Sequence, residues 1–272
     1  MPFPENIKLA KDVEAEIREQ GCIPATIAIL NGKICLGLDS AQLEELVHSK
    51  DAIKVSVRDI SSAIQANKSG GTTVAGTLAI AESAGIKVFA TGGIGGVHRQ
   101  APFDVSADLA QLARSQLVVV CAGAKAILDI PATLELLETY GVPVIGYQTD
   151  EFPAFYSSGS GLPVSARVDS PEEVARLATI HWGLELPSSI LVVVPPPPDV
   201  ALDSDFVASA VNAALEEAQI NHIRGQQVTP FLLSRVSELT GGLSLKANLG
   251  LLRNNAHVAA NIAHQIYKLN AK

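Results

Sequence analysis

Hydrophobic positions along the chain fall into two alternating rhythms, one of helical and one of strand period, and the alternation predicts an α/β protein. Ile7, Ala10, Val13 and Ile17 recur at helical spacing up to Gly21, a helix stop. Ala25–Leu30 and Lys33–Leu38 are strand-like runs flanking Asn31-Gly32, the dipeptide preferred by a two-residue hairpin. Asp39 with Gln42 makes a capping-box pattern that opens a helix to about His48, and Thr72–Ala84 reads as a helix of small residues able to lie close against a sheet. Lys87–Thr91 and Leu117–Cys121 are apolar strands, the second running into Ala122-Gly123-Ala124-Lys125 at the start of a further helix. Leu134–Tyr140 is helical, Pro143–Gly146 is a strand, and Ser170-Pro171-Glu172-Glu173 joins an N-cap, an N1 proline and a capping glutamate ahead of a helix reaching about Trp182. Ile190–Val194 reads as a buried strand that stops at four prolines, Pro195 to Pro198, a segment expected to be extended and exposed. Helices over Ser204–Gln219, Thr229–Thr240 and from Ser244 onward make the C-terminal third a helical cover on the α/β body. No internal repeat and no Gly/Ser-rich linker divides the chain, so one domain over residues 1–272 is expected.

Composition narrows the class. With 47% hydrophobic residues in 272 and few aromatics, the chain can bury a large aliphatic core. A net charge of −8 and the lack of a basic stripe argue against a nucleic-acid polymer as partner. Cys22, Cys35 and Cys121 stand singly in apolar contexts without metal-type spacing, which reads as reduced, buried thiols in a cytoplasmic protein. The N-terminus has no signal-peptide core, and no apolar run approaches the ~20 residues that span a bilayer, so no membrane partner is expected.

Candidate chemistry centres on Gly92-Gly93-Ile94-Gly95-Gly96-Val97-His98-Arg99, directly after a predicted strand. Glycines so placed either pack a tight turn against a neighbour or leave bare amides to wrap an anion, with His98 and Arg99 adding donors. Lys125, read as lying in the first turn of a helix, either pairs with a bound anion or has a lowered pKa. The second state makes an amine nucleophilic enough for a Schiff base with a sugar aldehyde. Asp104 and Asp108 can offer hard oxygen ligands to a divalent cation, although Ser106 between them also reads as a plain N-cap. Thr72, Thr73 and Lys54 are further phosphate donors. Neither a dinucleotide motif nor a Walker loop is present, and Ser157–Gly161 is a flexible loop rather than a nucleophile elbow.

Met1-Pro2-Phe3-Pro4-Glu5-Asn6, Pro24–Ala28, Lys54-Val55-Ser56, Thr91–Arg99, Asp104–Leu109, Cys121–Asp129 and Thr229–Leu233 together resemble the pseudouridine-5′-phosphate glycosidase family, which includes the indigoidine synthase A-like proteins. The resemblance runs the length of the chain in the same order. It implies a three-layer α/β/α fold with a central mixed sheet, a homotrimer, a divalent metal (typically Mn2+) and interconversion of pseudouridine 5′-phosphate with uracil and ribose 5-phosphate. Position by position it implies Lys125 as nucleophile, Asp104 as metal-binding residue, and Lys54, Val74 and Ser106-Ala107-Asp108 as substrate contacts. Thr73 and His98 join them at the phosphate.

The reaction explains the lysine. In a C-glycoside the leaving atom is carbon, so protonating a heteroatom at the scissile bond, the usual glycosidase device, is not available. Opening the ribose and adding an amine to its first carbon lets the C–C bond break with an iminium as product. Two departures accompany the resemblance. The family's general acid is a glutamate in a Glu-Ser-Thr strand ahead of Met-Pro-Phe-Pro, a segment the sequence does not include, and Pro195 stands where the family has asparagine. The alternative expectation is therefore a paralogue that binds the sugar phosphate but turns it over slowly.

Overall fold

Asn31 and Gly32 both take positive φ, 48° and 70°, so the turn they form is of the primed kind whose twist matches its strands. The computed structural model describes residues 3–99, 101–223 and 227–271. In it α1 (Glu5–Glu19) leads to a hairpin of β1 (Ile27–Leu30) and β2 (Lys33–Leu36), with Leu30 opposite Lys33. The Asp39–Gln42 capping box then starts α2 (Ser40–His48). After β3 (Ile53–Val55), a 3₁₀ turn over Val57–Asp59 and α3 (Ile60–Gln65), the chain returns as β4 (Gly70–Thr72) and enters α4 (Val74–Ser83). These strands form a mixed sheet in the order β2-β1-β4-β3, antiparallel except between β3 and β4. The small residues of α4 do allow close approach: a β-carbon at Gly76 would lie 2.8 Å from the Val55 carbonyl oxygen.

The second half of the fold begins with β5 (Val88–Ala90), then a hairpin of β6 (Val97–His98) and β7 (Ala101–Val105), α5 (Ala107–Leu112) and β8 (Val118–Cys121). It continues through β9 (Leu128–Asp129), α6 (Ile130–Thr139), β10 (Val144–Tyr147), β11 (Ala166–Val168), α7 (Pro171–Gly183) and β12 (Ile190–Val193). Three helices follow: α8 (Ser204–Ile220), α9 (Val228–Leu239) and α10 (Leu243–Asn270). Five of these strands make a wholly parallel sheet, β11-β10-β12-β8-β5. β8 and β12 are buried along their whole length. Their alternating side chains feed two cores. Val119, Cys121, Leu191 and Val193 pack with α4, α5, α6, α8 and α9; Val118, Val120, Ile190 and Val192 pack with α7 and α10. The result is a three-layer α/β/α body, each buried Val or Leu contributing about 1.5–3 kcal/mol of apolar transfer.

The structure differs from the sequence reading in several places. Thr72 belongs to β4, and the helix starts after its N-cap Thr73, whose hydroxyl accepts from Gly76 N. Lys125 is on no helix: Gly123 at φ 88° breaks the path, Leu128 N closes a turn onto Lys125 O at 2.9 Å, and α6 waits for its cap Asp129. The proline segment is not uniformly exposed, since Pro196 is buried. Cys121 alone is fully buried, the other two free thiols being half-buried. The C-terminal helices also divide, α8 and α9 on one face and most of α10 on the other, because the parallel sheet has two apolar faces to cover.

Candidate active site

Strand ends bring the candidate residues together. The loops after β3, β4, β5 and β8 open at the carboxyl ends of their strands, where open α/β sheets form ligand crevices. They line one cavity of about 630 Å³. Its walls hold Lys54, Thr73, Val74, His98, Asp104, Ser106, Ala107, Asp108 and Lys125, whereas Thr72 and Arg99, also named as donors from the sequence, do not line it.

The glycine loop forms one wall by packing, and the amides of Ile94, Gly95 and Val97 are spent inside the protein. Ile94 N donates to Gly123 O at 3.0 Å, Val97 N to the Thr133 hydroxyl at 3.0 Å, and Gly95 N to Asp108 Oδ2 at 2.8 Å. Glycine is required because β-carbons would collide: at Gly95 with the Ser106 hydroxyl, at Gly96 with the Thr133 hydroxyl. Arg99 does not point into the cavity as a donor for an anion. Its guanidinium donates to the carbonyls of Ala126 and Leu128.

Asp108 is a buried clamp. Its Oδ1 accepts from Ala75 N at 2.9 Å in the first turn of α4, while Oδ2 holds the glycine loop. The carboxylate suits a helix N-terminus electrostatically and locks α4, the loop and α5 into one corner. Ser106 caps α5 and accepts from Asp108 N.

Lys125 is the chemically poised group. Its backbone is held by Ile94 O at 3.1 Å. Burial pushes its amine below the ordinary lysine range, the neighbouring Asp108 carboxylate pulls it back up, and Lys54 pushes it down again. Desolvation favours the neutral amine and a like charge adds to it, the combination that turns lysine into a nucleophile. The depression thus arises from burial and Lys54, not from a helix dipole.

The remaining residues differ in freedom. Asp104 is exposed on β7, and its carboxylate makes no hydrogen bond or ion pair among the described residues. Asp59, by contrast, accepts from Ser56 N at 3.0 Å and lies 3.5 Å from Arg58. No three His, Cys, Asp or Glu side chains gather around one point among the described residues. A divalent ion at Asp104 would take most of its ligands from water or substrate. Polar cavity residues that the sequence did not single out as site residues include Arg58, Asp59, Gln111, Arg114 and Thr229. Gln111 follows Ala107 at i+4 on one face of α5, so periodicity extended from Ala107 was the signal for it, whereas Arg114 lies in the turn just past the helix. Thr229 arrives from the start of α9, far along the chain, and only the fold brings it near.

Known proteins match both the sequence and this geometry. The family model described as "Indigoidine synthase A like protein" matches residues 1–265. A pseudouridine-5′-phosphate glycosidase of Geobacillus kaustophilus is 53% identical over 268 residues, covering 98% of this chain and 89% of its own length. One from Herpetosiphon aurantiacus is 51% identical over 270 residues with the same coverage. Among solved structures, prealnumycin C-glycosynthase in complex with ribulose 5-phosphate superposes with a TM-score of 0.92 at 39% identity, covering 97% of this chain and 88% of that one. An indigoidine synthase A-like protein from Thermotoga maritima gives 0.91 at 38% identity, covering 97% and 87%. The chain belongs to the indigoidine synthase A-like family, in which its relatives are named pseudouridine-5′-phosphate glycosidase.

Proposed function

We propose that this chain reversibly cleaves the C–C glycosidic bond of pseudouridine 5′-phosphate, releasing uracil and ribose 5-phosphate through a Schiff base on Lys125. The observation that carries the reading is the Lys125 amine, enclosed in the cavity and held toward its neutral form by burial and by Lys54. The names of the relatives and the sugar phosphate bound to prealnumycin C-glycosynthase support the substrate class.

The C1′–O4′ bond of ribose breaks, and O4′ takes the electron pair and a proton. The Lys125 nitrogen bonds to C1′. The C1′–C5 bond then breaks, its electron pair going to uracil C5, which takes a proton, while the nitrogen lone pair forms the iminium. Water adds to C1′, and the amine leaves as ribose 5-phosphate is freed. Lys54, Thr73 and His98 line the cavity as donors for the phosphate end, and Ser106, Ala107 and Asp108 line it as further substrate contacts. Manganese, the metal the resemblance implies, supplies charge neutralisation when bound, and Asp104 is the residue to hold it. The reading extends to a homotrimer in the cytoplasm, and light scattering on the purified protein reports the assembly. No helix of the described residues is long and apolar enough to cross a membrane.

Borohydride trapping with ribose 5-phosphate, followed by peptide mass spectrometry, tests the nucleophile. The expected adduct sits on Lys125 and disappears in Lys125→Ala together with turnover. A label on another lysine, or undiminished turnover in that variant, would sink the assignment.

A further inference from the structure

Arg99 ends the glycine-rich run yet stands behind the cavity wall rather than in it. Its Nε donates to Leu128 O at 3.1 Å, its Nη2 to Ala126 O at 3.2 Å, and its Nη1 to Asn212 Oδ1 on α8 at 3.4 Å. Ala126 and Leu128 belong to the buried turn that begins at Lys125, where Leu128 N closes onto Lys125 O.

We propose that Arg99 is a positioning residue for Lys125: one planar guanidinium holds two carbonyls of the Lys125–Leu128 turn and so fixes the direction in which the amine enters the cavity. The inference rests on the reading of Lys125 as the nucleophile. Buried carbonyls need donors, and this turn, outside any helix, receives two of them from a single side chain. Only arginine can do this, because its donors form a rigid fork, whereas a lysine ammonium is a point donor that satisfies one acceptor at a time. Burial lowers the Arg99 pKa while Asp129, the cap of α6, offsets it, as expected for a cation committed to an interior role. The contact with Asn212 carries the support outward to α8, a helix that does not line the cavity.

Loosening the turn should misplace the amine without disturbing the phosphate end. A displacement of about 1 Å can cost on the order of 10²-fold in rate. Arg99→Lys should therefore lower kcat for pseudouridine 5′-phosphate by about 10- to 100-fold, leave KM within about threefold, and slow borohydride-trapped adduct formation by the same factor as kcat. Amide exchange in the peptide covering residues 122–130 should become faster. Added guanidinium ion should restore part of the activity of Arg99→Ala but none of that of Arg99→Lys. Asn212→Ala should show the same pattern more weakly, and it carries the test should the Arg99 variants fail to fold. Unchanged kcat and unchanged exchange in Arg99→Lys, or in Asn212→Ala should that variant stand alone, would overturn the proposal. A loss confined to KM would overturn it too, by placing the guanidinium on the substrate. If the unaltered protein traps no adduct, the Lys125 reading fails by itself, while the exchange measurement still decides whether Arg99 holds the turn.

Discussion

At the scale of single residues, the Lys125 amine is set by three opposed influences, and each has a different owner. Burial lowers its pKa most, Asp108 raises it, and Lys54 lowers it. Removing the two neighbours should thus move the ascending, low-pH limb of the adduct-formation pH profile in opposite directions. Lys54→Met deletes the cation that favours the neutral amine, so the limb should shift to higher pH. Asp108→Asn deletes the anion that favours the charged form, so it should shift to lower pH. Shifts of the same sign would refute this account of the site. The sign for stability follows from linkage: a lysine depressed in the folded state binds its proton less well than in the unfolded chain. Folding is therefore penalised at low and neutral pH, and the penalty fades as pH rises toward the ordinary lysine value. Lys125→Met should raise the denaturant midpoint at pH 7, with a smaller gain at pH 10. The identity of this lysine was legible in the sequence; the reason for its reactivity was not, because the enclosing wall comes from residues distant along the chain.

At the scale of elements, strong local chemistry was readable and short pairing was not. The Asn31-Gly32 turn and the capping boxes at Asp39 and Ser170 appear in the structure where the sequence placed them. Each is decided within four residues. β6 and β9 are two residues long and exist because β6 pairs with β9 on one side and β7 on the other, which no local pattern announces. The turn at Lys125 was misread because Ala126-Ile127-Leu128 suits a helix by propensity, while Gly123 and the pairing of Ile94 with Ala124 override it. Two substitutions separate element stability from site geometry. Ser170→Ala removes a capping hydroxyl from α7, on the face packed with α10, and should cost about 1 kcal/mol with kcat unchanged. Gly95→Ala pushes a β-carbon against Ser106 and Asp108 and should cost about 1–3 kcal/mol while also lowering kcat. Urea unfolding read beside steady-state kinetics tells the two apart. Equal kinetic damage from both would contradict the view of the glycine loop as a packed wall.

At the scale of the whole molecule, the cavity is a seam: Lys54, Thr73 and Val74 come from the four-stranded sheet and α4, whereas His98 on β6, Asp108 on α5 and Lys125 in the loop after β8 come from the half built around the parallel sheet. The layered fold was foreseeable from alternating strand and helix patterns, but the seam was not, since it depends on how two sheets meet. A ligand spanning it binds the folded state alone and should stabilise the entire chain by mass action, about 2.7 kcal/mol at a hundredfold excess over Kd. For a chain of this size that amounts to a rise of several degrees in Tm. Ribose 5-phosphate should produce such a rise, and Lys125→Ala should keep only its non-covalent part. Manganese offers an independent handle on the same transition. Asp104 is the exposed carboxylate at the cavity with no partner among the described residues, whereas both oxygens of Asp108 already hold backbone amides. Asp104→Asn should consequently abolish any manganese-dependent gain in Tm. Asp108→Asn, though less stable to begin with, should retain that gain relative to its own metal-free midpoint. Retention of the full gain by Asp104→Asn would remove Asp104 from the metal's ligands and move the ion's anchor elsewhere in the seam.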